Sequence, residues 1–200
     1  MDSNDSGGGV SGEPRERILA AASAVFSARG FRAGSLNDIA AAAGLTRAGL
    51  LHHFPSKQAV LFALLERRDA ELHLTRPDSR ATLLELMAVL GPFTEEVAGN
   101  REMVQLAHIL TAEASGEDHP AREWVARRYA RLRTDLAGAV RRSIEAGELR
   151  ADLDPEAFGA LVLAVVEGTE NQWLISPDEV HPANVVDQLR ILCAGARPRD

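Results

Sequence analysis

Cysteine, aromatic residues and long apolar runs are all scarce in this chain, and each scarcity removes a class of protein. One cysteine, Cys193, in 200 residues leaves no internal disulfide framework and fits a reducing compartment. The longest apolar run, residues 157–166, holds ten residues, against about 20 needed to span a bilayer. Residues 1–12 carry no apolar stretch of the kind that secretion or organelle-import signals need; glycine and acidic residues predict a disordered tail there. G-x-S-x-G, H-E-x-x-H and paired cysteines are missing. His108 and Glu113 are five residues apart and fall on different faces of a helix, so they form no metal pair. No catalytic residue, cofactor or metal is therefore expected. Aromatics supply only 4% of the chain against 46% apolar residues overall, which leaves alanine and leucine, both strong helix formers, to build the core. The length suits one or two domains.

The net charge of −7 is unevenly spread. Residues 1–70 carry eight basic and seven acidic residues, or +1, and residues 71–200 carry 14 and 22, or −8. A nearly neutral N-terminal part on an acidic remainder is compatible with binding a polyanion through local patches.

What is present is helix grammar throughout, with no sustained alternation of polar and apolar residues that would mark strands. Helices are expected over 14–29, 36–43, 46–52, 57–74, 80–98 (interrupted near Gly91-Pro92), 101–115, 119–146, 155–175 and 182–195. The most informative stretch is 35–54, SLNDIAAAAGLTRAGLLHHF. Ser35 can cap a helix and Asp38 sits in its first turn, where the dipole favours an anion. Ile39, Ala40 and Ala43 form a small apolar face, and Gly44 stands where a helix end usually turns left-handed. Thr46 can cap the next helix, and Leu50 can pack back against Ile39. A short helix, a glycine turn and a second helix crossing closely over a small alanine make a helix-turn-helix, whose second helix enters the DNA major groove.

The flanks extend the pattern. Gly30-Phe31, Asp38-Ile39-Ala40, Ala43-Gly44-Leu45-Thr46, Leu50, His52, Phe54-Pro55-Ser56-Lys57 and Leu61-Phe62 together resemble the tetracycline-repressor (TetR) family of bacterial transcriptional regulators. The resemblance is strong over residues 13–68 and weaker beyond. It implies an all-α chain: a disordered tail over 1–12, a helix-turn-helix DNA-binding domain over 13–75, and an effector-binding and dimerisation domain over 76–200. The break at Thr75-Arg76-Pro77-Asp78-Ser79 marks the boundary.

Candidate DNA contacts follow position by position. Arg47 can make two hydrogen bonds to guanine or contact a phosphate. Ala48 could meet a thymine methyl, and Gly49 lets the backbone approach. Gly49 also weakens the helix, by roughly 1 kcal/mol relative to alanine. His52 and His53 point about 100° apart; the resemblance turns the first to DNA and the second to phosphate, while simple solvation of both is the alternative. Leu51 departs from the family pattern, where a phosphate-contacting tyrosine is common. Lys57, at the start of the fourth helix, suits a phosphate, and Ser35 and Thr46 can donate to phosphate or act as caps alone.

In the remainder, Phe158, Leu161, Val162, Val165, Thr169 and Trp173 form one stripe, and Val185, Val186, Leu189 and Leu192 another. Two such helices per subunit could form a four-helix dimer interface, or pack within one chain. The resemblance favours the dimer. It also implies a ligand cavity among Met87, Leu90, Phe93, Met103, Leu106, Leu110, Trp124 and Val166, with His108, Glu167, Glu170 and Asn171 as polar groups. The expected protein is a cytoplasmic, homodimeric, ligand-responsive regulator, a repressor that binds a palindromic duplex operator and releases it when a small molecule binds. The alternative is a helical interaction protein with a vestigial head.

Overall fold

A computed structural model describes residues 13–74, 80–88, 101–116 and 118–195, and the side chains among them except those of 68–74 and 194–195. The expected tail over 1–12, the break at 75–79, and Leu90 and Phe93 lie outside the described residues. Every regular element among the described residues is helical. The chain divides after Arg67 into two compact units, here called head and body.

The head begins with α1, Pro14–Ala33, whose proline occupies the first turn, where its missing N–H costs nothing. Gly30, at φ 75° and ψ 169°, kinks the helix one residue after its expected end. Only glycine adopts that backbone without strain. The bend lets Phe31 turn in against Phe26, with ring centroids 5.5 Å apart. α2, Leu36–Ala42, starts with a complete capping box. The Ser35 hydroxyl accepts from the Asp38 N–H at 3.2 Å, and Asp38 accepts from the Ser35 N–H at 3.1 Å. α2 ends in a Schellman turn: Gly44, at φ 66°, donates to the Ala41 carbonyl and Leu45 reaches back to Ala40 at 2.9 Å. α3, Arg47–His53, and α4, Lys57–Leu74, follow. The head core is mainly apolar, with Ile18, Leu19, Phe26, Ile39, Leu50, Leu61, Leu64 and Leu65 buried alongside Ser23 and Ser27. Each such apolar side chain contributes roughly 1.5–3 kcal/mol on leaving water.

In the body, α5 is helical over 83–88, followed by α6, Arg101–Ala114, and α7, Arg122–Glu145. α8 spans Pro155–Ile175 and α9 Pro182–Gly195. α7 starts three residues later than expected, because His119 is buried and its Nδ1 accepts from the Ala121 N–H. Asp154 caps α8 by accepting from Glu156 and Ala157. α7 and α8 pack closely at Gly159, where a Cβ would sit 2.9 Å from the Ala137 nitrogen. Around that crossing Leu83, Met87, Ala139, Val140, Leu149, Val162, Leu189 and Cys193 form one buried cluster. Ser143 ties two ends together within it, accepting from the Leu83 N–H at 3.0 Å and donating to Glu148 at 2.8 Å. Burial pushes the Cys193 thiol up, away from the reactive thiolate.

Candidate nucleic-acid interface

The geometry of α3 follows from its caps. Thr46 Oγ1 accepts from the Gly49 N–H at 3.1 Å, and at the other end the Phe54 N–H closes on the Leu50 carbonyl. Between them only Leu50 is buried. Arg47, Ala48, Leu51, His52 and His53 are all exposed, and Gly49 is partly so. A seven-residue helix anchored by one leucine thus presents its remaining side chains outward. Arg47 has no hydrogen bond or ion pair among the described residues, so its guanidinium is open for a base or a phosphate. The imidazoles of His52 and His53 meet edge to face, with centroids 5.5 Å apart and planes at 77°.

Two expected phosphate contacts are placed differently. Lys57 turns its ammonium back onto the end of α1, donating to the carbonyls of Phe31, Arg32 and Gly34 at 2.8, 3.2 and 2.9 Å, 4.5 Å from the Phe31 ring centroid. An ammonium has three donors, and all three are used. Lys57 is therefore a cap for the kinked end of α1 rather than a hydrogen-bonding phosphate contact. Ser35 gives its hydroxyl proton to Asp38 at 2.5 Å, so it caps without a proton to spare. Those Ser35 hydrogen bonds, reinforced by Arg29 at 3.0 Å, hold the Asp38 carboxyl below the usual carboxylate range. Thr46 only accepts, which leaves its hydroxyl proton available.

In the body, α6, α7 and α8 bring together polar groups that are distant in sequence. His108 Nε2 lies 2.9 Å from Glu170. Glu167, one turn earlier on α8, accepts from the Tyr129 hydroxyl at 2.8 Å and from Arg128 at 3.3 Å. Burial first, and the Glu167 bond second, push the Tyr129 phenol above its ordinary range. Leu106 and Leu110 are buried on α6, while Met103, Trp124 and Val166 are partly exposed. Two expected members fall away from this group. Met87 belongs to the cluster around Val140 and Val162, and Asn171 is exposed, donating to the Glu167 carbonyl of its own helix. Arg128 and Tyr129 complete the group although neither stood among the expected pocket residues. Nothing local marks them, because their partner lies 38 or 39 residues away. Arg101, stacked 5.4 Å from the Trp173 ring centroid, is another cross-helix contact of this kind.

The apolar stripes also need correction. Val162, Thr169, Trp173, Val186 and Leu189 are buried within this chain's own body, so they do not form a face for a partner. Phe158, Val165 and Val185 are half-buried. Leu161 and Leu192 are exposed, at 53% and 71%, and Ile175 and Ile191 join them as large apolar residues facing outward. α8 is apolar on nearly every side, so its period alone could not separate the inner stripe from the outer one.

A capped helix, a left-handed glycine turn and an outward second helix define a helix-turn-helix DNA-binding protein. Residues 18–64 match the family model of bacterial regulatory proteins of the tetR family, and residues 84–197 match that of the C-terminal part of BetI-type transcriptional repressors. The chain is 30% identical to the probable HTH-type transcriptional regulator ArpR of Pseudomonas putida, over 84% of this chain and 83% of that protein. It is 29% identical to the HTH-type transcriptional repressor BepR of Brucella suis, over 81% of each. SmeT, the repressor of the Stenotrophomonas maltophilia multidrug efflux pump SmeDEF, superposes with a TM-score of 0.70 at 26% identity, over 93% of this chain and 91% of SmeT. SmeT in its triclosan complex gives 0.76 at 27%, over 94% and 93%. The chain belongs to the tetR family of bacterial regulatory proteins. It is a DNA-binding transcriptional regulator and not an enzyme.

Proposed function

We propose that the protein is a repressor that binds an inverted-repeat operator as a homodimer and leaves it when a small molecule occupies the body. The observation that carries the DNA-binding part is α3, which buries Leu50 alone and leaves Arg47 exposed, with no partner among the described residues. In this reading Arg47 reads a base pair, Gly49 allows close backbone approach, and Thr46 and the histidines contact phosphates. Leu161, Ile191 and Leu192 supply apolar surface for a partner subunit. The effector site is the α6–α7–α8 group, where His108–Glu170 and Tyr129–Glu167 hold polar groups against the apolar residues of α6. Triclosan in the SmeT complex supports an aromatic, weakly acidic small molecule as a first probe. Release requires that the ligand bind the DNA-incompetent state more tightly; equal affinity for both states would shift nothing. The protein then works in the cytoplasm; no described helix is long and apolar enough to cross a membrane.

Selection of bound fragments from random duplex DNA tests this. An inverted repeat with half-sites about 34–36 Å apart, or a further whole turn, is the expected product. A single unrepeated half-site would overturn the homodimer, and no enrichment at all would overturn the regulator.

A further inference from the structure

α7 carries seven arginines against three acidic residues, a net +4 inside the stretch 71–200, which sums to −8. Most of those guanidiniums are engaged within the body. Arg122 and Arg142 donate to backbone carbonyls, and Arg127, Arg128 and Arg141 pair with Glu123, Glu167 and Glu156. Arg131 is engaged as well. Arg133 is exposed and has no hydrogen bond or ion pair among the described residues. It stands at a groove of about 340 Å³ that α7 forms with the first turn of α8, lined by Ala130, Arg133, Thr134, Ala137, Arg141 and Glu156. Small-molecule sites run from about 300 to 1,000 Å³. Ala130 and the buried Ala137 give the groove an apolar floor. Thr134 turns its hydroxyl proton to the Ala130 carbonyl at 3.0 Å, and the Glu156 charge is matched by Arg141. What the groove offers a ligand is therefore one guanidinium beside apolar surface. It is not the α6–α7–α8 group: Ala137 follows Arg128 by nine residues, about 180° around the helix.

We propose that this α7–α8 groove is a small-molecule site in its own right, for an organic carboxylate with a short apolar chain. The carboxylate takes two parallel hydrogen bonds from Arg133, the geometry that a guanidinium fork favours. The chain lies on Ala130 and Ala137. A bare inorganic anion uses only the guanidinium, and a neutral chain uses only the floor. The groove lies beside the Gly159 crossing, so its ligand fastens α7 to the start of α8 and stabilises the folded body. The site neither needs nor replaces an effector at the α6–α7–α8 group.

The test titrates octanoate, octanol and inorganic phosphate, at constant ionic strength, into the isotope-labelled full-length protein and follows backbone amides by NMR. Octanoate should move the amides of Ala130, Ala137 and Glu156 along one saturating curve. Octanol and phosphate should each bind at least about tenfold more weakly, because each lacks one half of the recognition. Arg133→Gln should weaken octanoate about tenfold or more. Arg127→Gln, on the same helix but outside the groove, should keep the wild-type affinity. Circular dichroism matching the parent shows that either variant is folded. Octanol binding as well as octanoate would mean that no charge is read, and phosphate binding as well would mean an adventitious ion only; either overturns the proposal. It is overturned too if no shift saturates, if the shifts fall instead around His108 and Glu170, or if Arg133→Gln keeps the wild-type affinity. None of these results bears on duplex binding, so failure here and failure of the regulator reading are distinguishable.

Discussion

In the head, the hydrogen bonds that shape the DNA-facing helix close within three residues, as Ser35 with Asp38 and Thr46 with Gly49. In the body, the polar groups that gather between helices come from positions 38 to 62 residues apart, as Tyr129 with Glu167 and His108 with Glu170. The caps and the glycine turn of α2 and α3 are built by local backbone chemistry, while Lys57 reaches 23 to 26 residues back to the end of α1. The body's group exists only when three helices have docked. Local caps resist substitutions far from themselves, whereas a cross-helix group is exposed to any change that alters helix spacing.

The largest effect should come from breaking that spacing. A side chain at Gly159 meets backbone atoms of α7 at 2.9 Å, and backbone cannot yield as a flexible side chain can. Gly159→Val should destabilise the body by at least about 1–3 kcal/mol. Hydrogen exchange along α7 and α8 would show it, with α2 and α3 changed far less.

Next comes Arg47→Ala, which should weaken operator binding by roughly 1–3 kcal/mol and relax preference at one base pair. Competition between cognate and altered duplexes reads both. Gly44→Ala is a purer test of the head's turn. A Cβ there meets nothing within 4 Å, so the cost is backbone strain alone, about 1–2 kcal/mol. Urea denaturation should show a lower midpoint.

Ser35→Ala should cost about 1 kcal/mol and raise the Asp38 pKa toward its ordinary value of 3.8. Asp38 is depressed in the folded head. Its contribution is thus complete above that ordinary value and is lost as pH falls through the lower, folded value. The wild-type head should lose this increment in acid, and Ser35→Ala should lose less. Carboxyl titration by NMR checks the sign. The smallest expected effect comes from His52→Ala and His53→Ala, each of which should slightly weaken operator binding, alike across duplex sequences, where the ring it removes touches phosphate.

The same contrast explains what could be read in advance. Helix α3, its caps and its glycine turn were legible because each signal sits within a few residues of its effect. Seven of the nine expected helical spans coincide closely with elements of the structure, and α1 differs through one kinked turn after Gly30. The partners of Lys57 have no local signal, because its ammonium folds back over more than 20 residues onto carbonyls at the kinked end of α1. The inner and outer stripes of α8 were not separable, since both are apolar and burial depends on which face its neighbours pack against. Arg128 and Tyr129 were invisible as partners of Glu167 because no local spacing encodes a contact between two helices.

If the exposed face of α3 meets duplex DNA, titrating the purified protein onto the selected duplex over a range of salt will reveal it. The logarithm of the binding constant should fall linearly with the logarithm of salt, with a slope close to the number of phosphates contacted. Absence of binding at low ionic strength, or an affinity indifferent to salt, would contradict it.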